Sequence, residues 1–126
     1  MTDSLLQRFT ENIMPQQSIT AGCGLDIACG SGKDLVYLTQ QGWEMAGVDR
    51  SSTSLQTANE LADNANVKIN TAVVDLEAGG NPFDDYVANN FDLITVSRYL
   101  HRPLFPYINR LIKPEGIIIY QTFMVG

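Results

Sequence analysis

The sequence predicts an α/β fold: a mostly parallel sheet with helices on both faces. Three observations carry this. Five short apolar runs recur at intervals of about 20 to 25 residues, a spacing that suits strand–helix–strand units and is too long for hairpins. The runs lack strict alternation, as strands covered on both faces do. The segments between them show helical periodicity and end in stop signals. Alternating strands and helices imply parallel pairing with right-handed crossovers.

The elements follow in order. Residues 4–14 form one amphipathic helix through Leu5, Leu6, Phe9 and Ile13. The first strand covers 24–28, and Leu35 and Leu38 mark a helix that stops at Gly42. The second strand covers 44–49. After it, Ser51-Ser52 caps a helix whose apolar face is Leu55, Ala58, Leu61, Ala62 and Ala65. The third strand spans 69–75. Residues 76–90 carry Gly79-Gly80-Asn81-Pro82 and read as a loop with at most a short helical turn. The fourth strand spans 91–97. Leu104, Ile108 and Leu111 then give a helix, and Lys113-Pro114-Glu115-Gly116 is a turn into a last strand over 116–122. Trp43, Phe105 and Tyr107 are most simply packing residues. With no repeat, low-complexity tract or linker, residues 1–126 read as one domain.

Composition bounds the function. A chain of 126 residues buries about 70% of its unfolded surface on folding, and 44% hydrophobic against 17% charged residues excludes a disordered class. Lys and Arg number 8 against 14 Asp and Glu, a net charge of −6, which argues against a nucleic-acid partner. No apolar run is long enough for a membrane span, and Met1-Thr2-Asp3-Ser4 lacks the features of a secretory signal. Cys23 and Cys29 are too few for a disulfide framework and have no metal-type spacing. A reducing, cytoplasmic setting is the expectation.

In parallel sheets the ligand lies beyond the carboxyl ends of the strands, so those ends hold the chemistry. The first strand runs into Cys29-Gly30-Ser31-Gly32-Lys33-Asp34. Its two glycines permit a tight turn and close approach of a ligand to the backbone; a plain strand-to-helix turn is the alternative. A phosphate-binding P-loop is excluded, because Ile27 stands where its first Gly belongs and Asp34 where its Ser or Thr belongs. The dinucleotide fingerprint fails at Leu35, the place of its third Gly. Asp26 and Asp34 flank the turn, which suits a ligand with positive groups. The second strand ends at Asp49, a carboxylate able to accept both ribose hydroxyls of a nucleoside. The third ends at Asp75-Leu76, suited to an adenine amino group and ring face. Each Asp alone reads equally well as a cap or a solvated strand end.

As a set these residues resemble the class I S-adenosylmethionine-dependent methyltransferases. Residues 25–32, Leu-Asp-Ile-Ala-Cys-Gly-Ser-Gly, are similar to their first motif. Gly47-Val48-Asp49-Arg50-Ser51 is similar to the second-strand acidic motif, and Val73-Val74-Asp75-Leu76 to the third. Phe91-Asp92-Leu93-Ile94 and Leu111-Ile112-Lys113-Pro114-Glu115-Gly116 match the fourth strand and the turn into the fifth. Gly42-Trp43 points to small bacterial enzymes related to tellurite-resistance methyltransferases. The resemblance implies a Rossmann-like three-layer α/β/α sandwich with sheet order 3-2-1-4-5, S-adenosylmethionine as cofactor, and methyl transfer to a small molecule. It implies that Asp26 holds the cofactor's amino group, directly or through water, while Gly30 and Gly32 pass beneath its methionine part. Asp49 takes the ribose hydroxyls with Arg50 near the adenine, Asp75 meets the adenine amino group, and Leu76 meets the ring. Ala28 stands where many members have Gly, and Ser97 closes the cofactor set.

Methyl transfer from a sulfonium demands orientation and a dry site more than a general base. Catalytic candidates follow the fourth strand: Tyr99, His101 and Arg102, with Arg98 beside them. His101 titrates near neutrality or simply packs. Arg98 and Arg102 hold an anionic acceptor or pair with nearby carboxylates. Cys29 reads as packing rather than as a nucleophile. Family members usually continue into strands six and seven, which are lacking here, so 117–123 form an outer edge. A long apolar edge is an aggregation hazard. The expectation is therefore a homodimer across that edge or its neighbouring helix, or else a piece of a longer protein. The alternative function is a non-catalytic S-adenosylmethionine-binding module or truncated partner subunit.

Overall fold

The computed structural model describes residues 5–77, 79–97 and 102–121. Strands β1 (Cys23–Ile27), β2 (Glu44–Asp49), β3 (Asn70–Val73), β4 (Phe91–Ser97) and β5 (Ile112–Gln121) form one sheet. All four pairings are parallel, as the spacing of the apolar runs predicts, and the order is β3-β2-β1-β4-β5, as the family resemblance implies. Central β1 is fixed in register from both sides, with Leu25 opposite Ala46 of β2 and Ile94 of β4.

Side chains alternate across this sheet and meet a separate core on each face. One core gathers Leu25, Ile27, Val48, Ile94 and Val96 beneath α5 (Phe105–Leu111), which contributes Ile108 and Leu111. Leu76 and Phe83 close it from the β3–β4 connection, together with Phe91 at the start of β4. The other core holds Met45, Leu93 and Ile119 against α3 (Lys33–Gln40), Trp43 and the N-terminal helical segment. Beside α3, α4 (Ser52–Asn64) lies on β2 and β3. Its Ser51 cap accepts the Ser54 N–H at 3.1 Å, as the Ser51-Ser52 pair suggests.

Three details depart from the sequence reading. The N-terminal segment is α1 (Leu5–Arg8), a π turn over Phe9–Ile13 and α2 (Met14–Gln16), not one regular helix. The Met14 N–H reaches back five residues to the Phe9 carbonyl. That extra residue puts Leu6, Phe9 and Met14 in the core and leaves Ile13 37% exposed. Pro15 supplies the reason: it has no N–H for the Glu11 carbonyl, and its ring crowds that group. On α4 the buried residues are Leu55, Ala58 and Ala62, while Leu61 lies outward. Finally, Lys113–Gly116 is not a turn before β5 but lies within it. Ile112 pairs with Phe91 and Ile117 with Leu93, so β5 advances five residues while β4 advances two. The strand absorbs Pro114 in this bulge, where no ladder donor is needed.

Asp92 pins the amino ends of the strands. Its Oδ2 accepts the Cys23 N–H at 2.9 Å, and its Oδ1 lies 3.1 Å from Lys113 Nζ. The backbone donor, with the lysine, holds the Asp92 carboxyl below its usual value. The acidic residue that the sequence reading took only as part of a strand motif thus ties β1 to β4 and β5.

Candidate cofactor and active site

At the opposite end of the sheet, the chain leaves β1 through a turn of three left-handed residues, Ala28 (φ +58°), Gly30 (φ +55°) and Gly32 (φ +85°). The Cys29 N–H bonds to the Val48 carbonyl at 3.0 Å, which holds the turn beside β2. The two glycines serve different purposes. A side chain at Gly32 would come within 2.6 Å of Ala58 Cβ, so this glycine lets α3 and α4 touch. A side chain at Gly30 would meet nothing within 4 Å, so there the bare backbone borders open space. Ala28 adopts the left-handed conformation with a methyl group, a local strain of the kind found where backbone faces a ligand.

Asp49 organises this end. Its Oδ2 accepts the Gly30 N–H and its Oδ1 the Ser51 N–H, each at 2.9 Å. One carboxylate therefore fixes both the glycine turn and the entry to α4. A carboxylate has about four acceptor positions, so two remain for hydroxyl donors. Beyond it lies a cavity of about 320 Å³ lined by Ala28, Asp49, Arg50, Leu76 and Glu77. Leu76 roots the wall in the core at 6% exposure.

The other sequence candidates fall differently. Asp75 is exposed and does not line the cavity; its Oδ1 accepts the Glu77 N–H at 3.0 Å and turns the chain after β3. Glu77 lines the cavity in its stead, a residue the sequence reading passed over although it sits two places beyond. Asp26 is 2% exposed and its Oδ1 accepts the Thr95 hydroxyl at 2.8 Å. Burial, reinforced by Asp34 and Asp49 and opposed by Thr95, pushes its carboxyl up to about 7. Thr95 read as one more residue of an apolar strand, and its partner is far away in sequence. Cys29 is half-buried, and a side chain at Gly47 would meet its Sγ at 2.9 Å, so the sulfur fills the space above that glycine. Burial and the Asp26 and Asp49 charges push its thiol up to about 12, which removes it as a nucleophile at neutral pH. Ser97 ends β4, at the same end of the sheet. Arg102 is exposed at the start of a 3₁₀ turn, Arg102–Leu104. Arg98, Tyr99 and His101 lie outside the described residues.

A parallel 3-2-1-4-5 sheet with a glycine turn after β1, a carboxylate closing β2 and a cavity between β2 and the end of β3 defines a nucleoside-cofactor-binding α/β protein. The family described as "Methyltransferase domain" matches residues 25–116, and the chain belongs to this S-adenosylmethionine-dependent methyltransferase family. A relative in Haemophilus influenzae, named "Probable S-adenosyl-L-methionine-dependent methyltransferase TehB", is 29% identical over 92 residues, which cover 71% of this chain and 30% of that protein. The chain thus spans about a third of the length of that curated relative. The crystal structure of the PH0226 protein from Pyrococcus horikoshii superposes with a TM-score of 0.75 at 23% identity, covering 95% of this chain and 54% of that one. The plantazolicin methyltransferase BpumL, crystallised with a triazolic desmethylPZN analog and SAH, superposes at 0.70 with 24% identity over 90% of this chain and 44% of its own. These two structures show the shared fold.

The residues present fit the family's cofactor. Gly30 leaves room that a Cβ would occupy, Asp49 retains acceptor capacity, and among the described residues Arg50 is the one basic side chain lining the cavity. No helix among the described residues is long and apolar enough to cross a membrane.

Proposed function

We propose that this chain is the cofactor-binding and catalytic unit of a methyltransferase that acts on a small molecule. The observation that carries it is the conjunction of open space at Gly30 with the Asp49-anchored cavity. The cofactor brings an activated methyl group on a sulfonium. The chain's part is to hold and aim it. Asp49 accepts the ribose hydroxyls, already oriented by its two backbone donors. Leu76 covers one face of the adenine, Arg50 and Glu77 border it, and Asp75 stands outside the wall, next to Leu76. Gly30 lets the methionine part pass, and Asp26 offers charge to its ammonium group. Ala28 and Ser97 border the path, and Gly32 keeps the turn in place through α4.

The residues read from the sequence as candidates for acceptor contact are Tyr99, His101 and Arg102, which follow β4 in the chain. A net charge of −6 supports a small molecule over a nucleic acid. Two free thiols suit a reducing cytoplasm. The outer position of β5, with Ile117, Ile118 and Ile119 along it, supports pairing with a second copy at that edge. Calorimetric titration with S-adenosylmethionine, followed by a screen for S-adenosylhomocysteine release over varied acceptors, tests the reading. Saturable binding with turnover on at least one acceptor is the expected result. A response to a nicotinamide dinucleotide and none to S-adenosylmethionine would overturn it.

A further inference from the structure

Among the described residues, Asp26 and Thr95 are the buried polar residues within the strands of the sheet, at 2% and 0% exposure. They sit opposite one another on β1 and β4, and the Thr95 hydroxyl donates to Asp26 Oδ1 at 2.8 Å. Around this carboxyl every charged group that reaches it is itself acidic: Asp34 at the start of α3 and Asp49 at the end of β2. The Cys29 thiol, on the loop between β1 and α3, stays protonated. No basic side chain among the described residues offsets them. Without a ligand, an ionised Asp26 is therefore a buried charge among like charges, and only one donor favours it.

We infer that Thr95 is a positioning residue: its hydroxyl aims the buried Asp26 carboxyl and eases its ionisation, so that capture of a cationic cofactor beside the Gly30 turn releases a proton from Asp26. This deepens the function proposed above and rests on it. The proton leaves to solvent as the ligand's ammonium and sulfonium charges arrive, and the Asp26 carboxylate then faces an opposite charge. The product of methyl transfer has lost the sulfonium charge. It holds the ionised form less well, so proton return to Asp26 favours its departure. Affinity for the donor accordingly rises with pH through the neutral range, until the ligand's own amino group begins to lose its proton at about pH 8. Affinity for S-adenosylhomocysteine rises less.

The test is calorimetric titration of the full chain with S-adenosylmethionine from pH 5.5 to 8.5, in buffers of different ionisation enthalpy, for the wild type, Thr95→Val, Thr95→Ser and Asp26→Asn. The wild type is expected to release a proton on binding at pH 6 to 7 and to bind about tenfold more weakly for each pH unit below the midpoint. Thr95→Val removes a bond to the charged form and shifts that midpoint upward by about one pH unit, so its affinity deficit against the wild type narrows as pH rises. Thr95→Ser restores the wild-type midpoint. Asp26→Asn abolishes both the proton release at pH 6 to 7 and the pH dependence below pH 7. A Thr95→Val protein whose affinity falls equally at every pH would show a packing role only and overturn the proposal. So would a wild type that binds with a flat profile. A wild type that binds no S-adenosylmethionine at any pH would overturn the function itself. Titration of the Asp26 carboxyl by ¹³C NMR in the ligand-free wild type and Thr95→Val proteins then still decides the Thr95 part, by a shifted or an unshifted midpoint.

Discussion

Asp49 and Gly30 act as one unit, because the carboxylate that faces the cavity also holds the glycine N–H at 2.9 Å. Removing it at Asp49→Ala loses ligand bonds and releases the turn together. Cofactor binding should weaken by about 1–3 kcal/mol, read by calorimetry; an unchanged affinity would remove the ribose role. The glycines separate stability from binding. Gly32→Ala pushes a methyl into Ala58 at a positive φ and should lower the melting temperature at unaltered site chemistry. Gly30→Ala carries about 1–2 kcal/mol of left-handed strain without a clash, and should lose cofactor affinity beyond that strain. Asp26 leaves a mark on stability as well. Its carboxyl is raised to about 7 when folded, whereas the unfolded group titrates near 4. The folded protein thus holds the proton more tightly, and the stability this supplies is complete below pH 4 and lost as pH rises through 7. Denaturant unfolding of the ligand-free protein should show that decline, and Asp26→Asn should flatten it.

At the scale of elements, the sheet was legible because buried parallel strands leave apolar runs at a regular spacing. Strand order came only with the family resemblance that the glycine turn and the acidic strand ends carry together. The departures occur where neighbours decide. The N-terminal helix obeys an apolar period up to Phe9, and only the clash of Pro15 with the preceding turn moves the core contact from Ile13 to Met14. Pro114 and Gly116 carry turn chemistry, yet pairing of Ile112 with Phe91 draws them into β5 as a bulge. In the site, the carboxylates were visible one by one. What the sequence hides is mutual: that Gly32 packs on Ala58 while Gly30 does not pack, that Asp75 turns away as Glu77 turns in, and that Thr95 serves Asp26. The β3–β4 connection has no helix among its described residues and depends on Phe83, which is fully buried and holds the wall to which Leu76 belongs. Phe83→Ala should cost about 3–5 kcal/mol in denaturant unfolding and weaken the cofactor through a loosened cavity.

For the molecule as a whole, acidic charge and sheet topology point the same way. Net charge of −6 favours a cationic ligand and disfavours a polyanion. The sheet has β3 and β5 as its edges, and the longer, isoleucine-rich β5 is the one proposed to pair with a second copy. Light scattering coupled to gel filtration should give a dimer mass, and a monomer that stays soluble on concentration would count against that pairing. The proposed cofactor site draws all its residues from one chain, so dilution to monomer should leave S-adenosylmethionine affinity intact while lowering turnover if the partner closes the acceptor side. The most direct measurement is a crystal structure with S-adenosylhomocysteine. The account predicts nucleoside density between Leu76 and Arg50, its ribose on Asp49 and its amino acid running past Gly30 toward Asp26. Density for the ligand at another place, or Gly30 and Asp49 closed against each other by protein atoms with the ligand present in excess, would contradict it.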